Sequence, residues 1–392
     1  MRRPVPLQPI DLQLLIAIAF VVAALLALVL TPLVRRIAQR YGIIDRPNQR
    51  RVNVVPVPRA GGIAVALAFL GVAVVFLAIN DSAPMVRLPT SIGQGELIAL
   101  LAGGAAAAAI GALDDYFQLR ARWQLVGQIV LAFAAVALGV EVGSLNSPLG
   151  GVIGLDGALG FVISVLWIVG MINSINFIDG LDGLSSGIGL VAAITLGVIS
   201  LAGLAGGASQ PFVAILCFAL AGALAGFLRW NFHPASIFTG TSGVMFLGYA
   251  LAVLSILGTA KVAVALLVLG IPIIDTFWII VRRLLSGRSP FTPDRGHIHH
   301  RLLDLGLTHT QSVLLIYAIC VALAVLSFGL SGTGQLYAFV GIVVIFGLVL
   351  FVLTQRSLVA EELSADSYEN GNGGKGQATV DPARRQGPPG RA

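Results

Sequence analysis

Charge is what this 392-residue sequence has least of: Asp, Glu, Lys and Arg make up 11% of it, against about 25% in an average soluble protein. So few charges cannot cover the surface of two or three water-soluble domains, which excludes a soluble globular chain. A disordered chain is excluded as well, because 57% of the residues are apolar and disorder needs low hydrophobicity. Cysteine is nearly absent. Cys217 and Cys320 both sit inside apolar runs, which removes disulfide frameworks and cysteine-based metal sites. No Walker loop or strand-linked G-x-G-x-x-G occurs, so nucleotide binding by the common soluble folds has no support. With this composition the formal charge of +6 reads as a membrane-orientation signal, and no nucleic-acid partner is expected.

Long apolar runs are what the sequence has in quantity. About 20 residues cross a bilayer as helix, and eleven runs approach that length: 11–30, 62–79, 96–112, 124–140, 158–175, 184–205, 211–228, 242–257, 261–281, 312–330 and 335–354. The first is expected to remain as a span, being too long for a signal peptide and followed, not preceded, by the basic 35–40 segment. Eleven crossings divide the 24 Lys and Arg into 20 on one side and 4 on the other, the four being Arg2, Arg3, Arg87 and Lys261. Basic loops stay in the cytoplasm, which puts the amino terminus outside and the carboxyl terminus inside. The predicted fold class is all-α: a polytopic bundle of about eleven transmembrane helices over 1–357. A polar, Gly-rich cytoplasmic tail at 358–392 is expected to be disordered.

Function in such a chain lies where polar side chains gather, and these gather in the inner loops. Asp114 and Asp115 close the third span. Asn173, Asn176, Asp179 and Asp182 recur at a spacing of three, which keeps them along one helix stripe. With no Lys or Arg in that segment, four acids face one aqueous boundary. Such oxygen-rich, unbalanced clusters suit Mg²⁺, with Mn²⁺ as the alternative; Mg²⁺ takes one or two carboxylates and completes its shell with substrate phosphates. A second cluster, Asp294-Arg295-Gly-His297-Ile-His299-His300-Arg301, reads better as a binder of an anionic diphosphate than as a zinc site. In the first loop Arg50, Arg51 and Arg59 belong to a group of seven arginines from 35 to 59 that either satisfy the orientation rule or touch anionic groups. Gly61 and Gly62 allow close backbone approach to a phosphate. Asp275, deep in the ninth span, needs a partner, for which Arg282 and Arg283 are candidates.

These blocks together resemble the polyprenyl-phosphate N-acetylhexosamine-1-phosphate transferases, glycosyltransferase family 4. The likeness runs from about residue 12 to 355 and rests on Gly-Ala-Leu-Asp114-Asp115 with Leu119, the Asn173–Leu184 block, and His297-Ile-His-His-Arg-Leu302. The last has the form of the N-acetylglucosamine branch. The resemblance implies a bundle of ten or eleven helices with a cytosolic site. It also implies transfer of a HexNAc 1-phosphate from a UDP-sugar to a polyprenyl phosphate, with release of UMP, in cell-envelope polysaccharide synthesis. It further assigns Asp114 or Asp115 to orienting the lipid phosphate, Asn176 with Asp115 to the metal, and Asp179 and Asp182 to the nucleotide site. Asn173, Arg50, Arg51, Arg295, His297, His299, His300 and Arg301 are then substrate-binding.

Three positions depart from the family pattern. Thr241 stands where a metal-binding Asp is expected, Asn53 replaces a His, and Gln124 replaces a Lys. A catalytically weakened paralogue that binds carrier lipid or nucleotide is therefore the second reading, and a transporter a distant third. Monomer and homodimer both stay open.

Overall fold

The computed structural model describes residues 9–46, 55–86, 88–89, 92–147, 150–203, 209–258, 261–287, 289, 296–330, 332–349 and 351–352. It separates into a unit Met1–Gly347 and a short unit Leu348–Ala392. The 358–392 tail, Arg50, Arg51, Asn53, Asp294 and Arg295 lie outside the described residues.

Helix dominates. In order come α1 (Pro9–Arg40), α2 (Gly62–Ser82), and α3 (Gln94–Ile98), which passes through a π-helical turn at Ala99–Gly103 into α4 (Gly104–Phe117). Then follow α5 (Ala121–Ala137), α6 (Ala158–Ile178), α7 (Leu184–Ala202), α8 (Pro211–Asn231) and α9 (Gly240–Leu257). The rest are α10 (Lys261–Val268), α11 (Gly270–Leu285), α12 (Ile298–Asp304), α13 (His309–Gly329) and α14 (Thr333–Val349). Among the described residues, sheet is limited to two antiparallel pairs, β1 (Ile44–Asp45) with β2 (Val57–Pro58) and β3 (Ser144–Asn146) with β4 (Val152–Gly154).

Each of the eleven predicted runs carries a helix, but not every one is a full straight span. Among the described residues, eight helices are long and apolar enough to cross a membrane, α3–α4 counting as one, and the α10–α11 pair makes a ninth when counted as one span. The apolar α5 and α14 are shorter; α5 stops at Ala137, ahead of a turn in which Gly139 has φ 103°. The ninth run is broken, with α10 and α11 bent by 81°. Pro272 explains the break: it has no N–H to give the Val268 carbonyl four residues back, and its ring crowds that turn. The pair still traverses the bundle. Val262 in α10 packs with Val142 and Leu155 at the end where α6 begins, while Arg283 in α11 lies over Phe177 at the end where α6 finishes, 6.0 Å from the ring centroid.

The outer helices turn large apolar side chains outward, with Val29 69% and Leu166 64% exposed. Such surface is costly in water and ordinary against lipid. At the centre stands α9, buried on nearly every face and in contact with α2, α4, α6, α7 and α10. Small residues let the helices close on one another. In α8, Gly222 and Gly226 form a G-x-x-x-G; a Cβ on either would lie 2.1 Å from a backbone carbonyl oxygen of α1, that of Phe20 or Ala24. Pro32 inside α1 leaves the Leu28 carbonyl without its helical donor, and the Trp230 indole N–H supplies one at 3.1 Å.

Candidate active site

The connections after α4, α6 and α8, the β1–β2 hairpin and α12 meet at one end of the bundle. A cavity of about 600 Å³ opens there, lined by Asp45, Arg59, Asn176, Asp179, Asp182, His233, Thr241, His300 and His309 among others. Its size is that of a ligand site.

One wall is the segment that leaves α6. Asn176, Asp179 and Asp182 face the cavity, as a stripe at intervals of three allows. The Asp179 carboxylate accepts a short hydrogen bond from the Ser185 hydroxyl at the start of α7. Asp179 is only half-buried by surface area, yet protein atoms surround its carboxyl closely enough for burial to push its pKa up to about 7. The Ser185 and Thr239 hydroxyls pull it back less, and the Asp115 charge pushes it further up. Asp182 Oδ2 accepts the Ala235 N–H at 3.0 Å and lies 2.7 Å from His233 Nδ1. Asn173, one turn deeper, turns elsewhere: its amide donates to Gln128 of α5 at 2.6 Å and to the Val169 carbonyl at 2.8 Å. It ties two helices and is not among the cavity-lining residues.

The opposite wall is a different construction. Asp115 has a fully buried side chain. Its Oδ1 accepts from Arg59 Nε at 2.9 Å and the Thr241 N–H at 2.8 Å, with Arg59 Nη2 also 2.8 Å away. Its Oδ2 accepts the Ser242 N–H at 3.0 Å. The carboxylate thus caps the positive end of α9 and neutralises Arg59. Gly240, at φ 72°, makes the tight entry to α9; a Cβ there would come within 2.7 Å of Asp115 Oδ2. Asp114 serves its own turn. Its Oδ1 accepts the Leu119 N–H and the Gln124 amide, each at 2.9 Å, where Gln118 turns through a positive φ.

The histidine block divides three ways. Among the described residues of the block, His300 alone lines the cavity. His297 Nδ1 lies 2.8 Å from Asp275 Oδ2, and Asp275 Oδ1 takes the Ile298 N–H at 3.0 Å. The start of α12 is therefore a partner of Asp275. His299 is buried against Gly180; burial first, and then His300, His297 and His309, hold its pKa well below the ordinary value, so the ring is neutral. Arg301 donates from Nε to the Gly296 carbonyl at 2.9 Å.

Gly61 and Gly62 also serve packing and not a phosphate. Their N–H groups donate to the Phe238 and Thr239 carbonyls, and a Cβ on Gly62 would fall 1.8 Å from Gly243 Cα. They let α2 and α9 touch backbone to backbone.

The donors available to a metal can be compared with the expectation. Asp115, named with Asn176 as a ligand, does not fit: its partners are supplied by the protein, and its side chain admits nothing more. Asn176 and Asp179 do fit, offering a neutral amide oxygen and a carboxylate to the cavity. A third group, Asp182, His233 and His309, brings its ligand atoms within 4.8 Å of one another, the spacing a metal would need. His309 Nε2, however, already accepts the Asp182 N–H at 2.8 Å, and its ring stacks on His233 at 4.1 Å between centroids.

Local sequence patterns gave no site role to Arg59, His233 or His309. Arg59 looked like one of seven basic residues in its loop, and its partners lie 56 and 182 residues away.

A model of glycosyl transferase family 4 matches residues 97–259. A protein named as probable undecaprenyl-phosphate N-acetylglucosaminyl 1-phosphate transferase of Bacillus subtilis is 34% identical over 310 residues, 78% of this chain and 82% of its own. A decaprenyl-phosphate N-acetylglucosaminephosphotransferase of Mycolicibacterium smegmatis is 34% identical over 365 residues, 86% and 88% of the two chains. The undecaprenyl-phosphate alpha-N-acetylglucosaminyl 1-phosphate transferase of Yersinia pestis is 27% identical over 303 residues, 74% and 78%.

Proposed function

The chain belongs to glycosyl transferase family 4, and from that premise we propose that it transfers N-acetylglucosamine 1-phosphate, or a close HexNAc relative, from a UDP-sugar to a polyprenyl phosphate. One observation carries the proposal: the conjunction of Asn176, Asp179 and Asp182 with Arg59 and His300 around one cavity at the end of an apolar bundle. The connections at that end hold most of the Lys and Arg, which favours a cytoplasmic site.

The reaction balances without a proton step. A phosphate monoester loses its second proton near pH 6, so at neutral pH the lipid phosphate is largely a dianion. One of its oxygens bonds to the sugar-bearing phosphorus, the bond from that phosphorus to the bridging oxygen breaks, and UMP departs with the electron pair. The protein's work is to hold two anions in line and answer their charge. His300, which lines the cavity, supplies a donor for phosphate oxygens. Asp182 keeps His233 in place beside the cavity, and its neighbour Asp179 is held by Ser185. Asn176 and Asp179 would hold Mg²⁺ together with substrate phosphates; when bound, the ion supplies charge screening between the two phosphates.

The test is incubation of purified protein with labelled UDP-N-acetylglucosamine, undecaprenyl phosphate and Mg²⁺. A labelled lipid diphosphate sugar and an equal amount of UMP are expected. If neither forms at any Mg²⁺ concentration, the transferase reading fails.

A further inference from the structure

We propose that Arg59 is a phosphate-binding residue of the cavity, a cation fixed by the fold, and that the neutral side chain of Thr241 is what keeps its charge available. The inference rests on the transferase reading and goes beyond it.

The backbone around Arg59 is laced on both sides. The Arg59 N–H donates to the Ile43 carbonyl, the Phe238 N–H to the Pro58 carbonyl, and Gly61 and Gly62 to Phe238 and Thr239. Ala60, immediately next, holds φ at 80°, a left-handed conformation that non-glycine residues rarely adopt. A chain held so firmly in an unfavoured turn places its neighbour's side chain with little freedom.

That side chain is only partly consumed. Nε and Nη2 go to Asp115, and Nη2 also donates to the Thr241 hydroxyl at 3.2 Å. Nη1 sits 4.0 Å from Asp45 Oδ1, and the residue lines the cavity with 16% of its side chain exposed. Asp115 in turn divides its charge between the guanidinium and two amide N–H groups. An acid at 241 would add a third carboxylate around Arg59, beside Asp115 and Asp45. Threonine adds no charge. Across the cavity stand Asp179 and Asp182, which on their own repel phosphate. A guanidinium, with planar donors suited to phosphate oxygens, is the group that offsets this.

The phosphate could belong to the nucleotide or to the lipid, so both are probed. Binding of UDP and of a short-chain prenyl phosphate to the full-length protein in detergent is measured by calorimetry, in EDTA and in Mg²⁺. Wild type is compared with Arg59→Gln, Arg59→Lys and Thr241→Asp. Arg59→Gln should weaken one probe by roughly tenfold or more, in EDTA as well as Mg²⁺, with Arg59→Lys between it and wild type. Thr241→Asp should weaken the same probe in EDTA and recover with Mg²⁺. The probe affected identifies the phosphate. A folded Arg59→Gln protein that binds both probes as wild type does overturns the inference. Should that variant not fold, Thr241→Asp decides alone, since it keeps Arg59 and Asp115, and unchanged binding in EDTA overturns it. Wild type binding both with no variant effect sinks this inference only; wild type binding neither, even with Mg²⁺, takes the transferase reading down with it.

Discussion

The two walls of the cavity use the same residue type to opposite ends. Asp115 is enclosed and receives its donors from Arg59 and the first turn of α9. Asp179 and Asp182 face the cavity with some of their lone pairs answered by protein and others left toward the space a substrate would fill. An acid whose partners are all internal holds the fold. An acid left half-answered beside a cavity has lone pairs that the fold does not use. The contrast separates carboxylates that sequence alone had grouped as four equivalents.

The sharpest break of this comparison is Asp115→Ala. It leaves Arg59 without its counter-ion and two N–H groups of α9 without an acceptor, and losing one partner of a buried pair costs about 3–5 kcal/mol. Thermal unfolding in detergent should show a large drop or no folded protein. Asp182→Asn is its counterpart on the open wall. It should lower turnover by about a hundredfold while melting stays close to wild type. If the two variants behaved alike in both assays, the distinction between the walls would be wrong. A smaller effect on the closed wall comes from Gly240→Ala, whose methyl would meet Asp115 Oδ2 at a φ of 72°; about 1–3 kcal/mol of stability should be lost. Melting equal to wild type would show that this turn is not constrained as described.

Which parts of this were legible beforehand follows from distance along the chain. The Asn176–Asp179–Asp182 stripe is local and periodic, so its face could be read directly. The apolar runs were equally plain, since length and composition define them. The bend at Leu269 was written in Gly270 and Pro272 but hidden by an unbroken apolar run. Asn173 shares the stripe's spacing yet bonds to Gln128, 45 residues back, and no local period can show that. The Arg59–Asp115 pair joins the α2 entry to the end of α4, and Asp275 reaches across a loop to His297. Such pairings exist only once the helices are assembled. Gly61 and Gly62 were read as allowing a phosphate close to the backbone, but what approaches them is the Phe227 ring and the backbone at Phe238, Ser242 and Gly243.

The finest test concerns Asp179. Its pKa, ordinarily 3.8, stands at about 7 in the folded protein, so the folded state holds a proton that the unfolded chain releases from about pH 4 upward. Stability tied to that proton is complete below pH 4, falls as the pH climbs, and is gone above 7. Asp179→Asn cannot ionise and still accepts from Ser185. Its melting temperature should match wild type near pH 4 and exceed it by a few degrees at pH 8, even as turnover falls. A melting difference for Asp179→Asn that stays flat between pH 4 and 8 would mean that its carboxyl is solvated after all, and the open wall would then be open to water throughout.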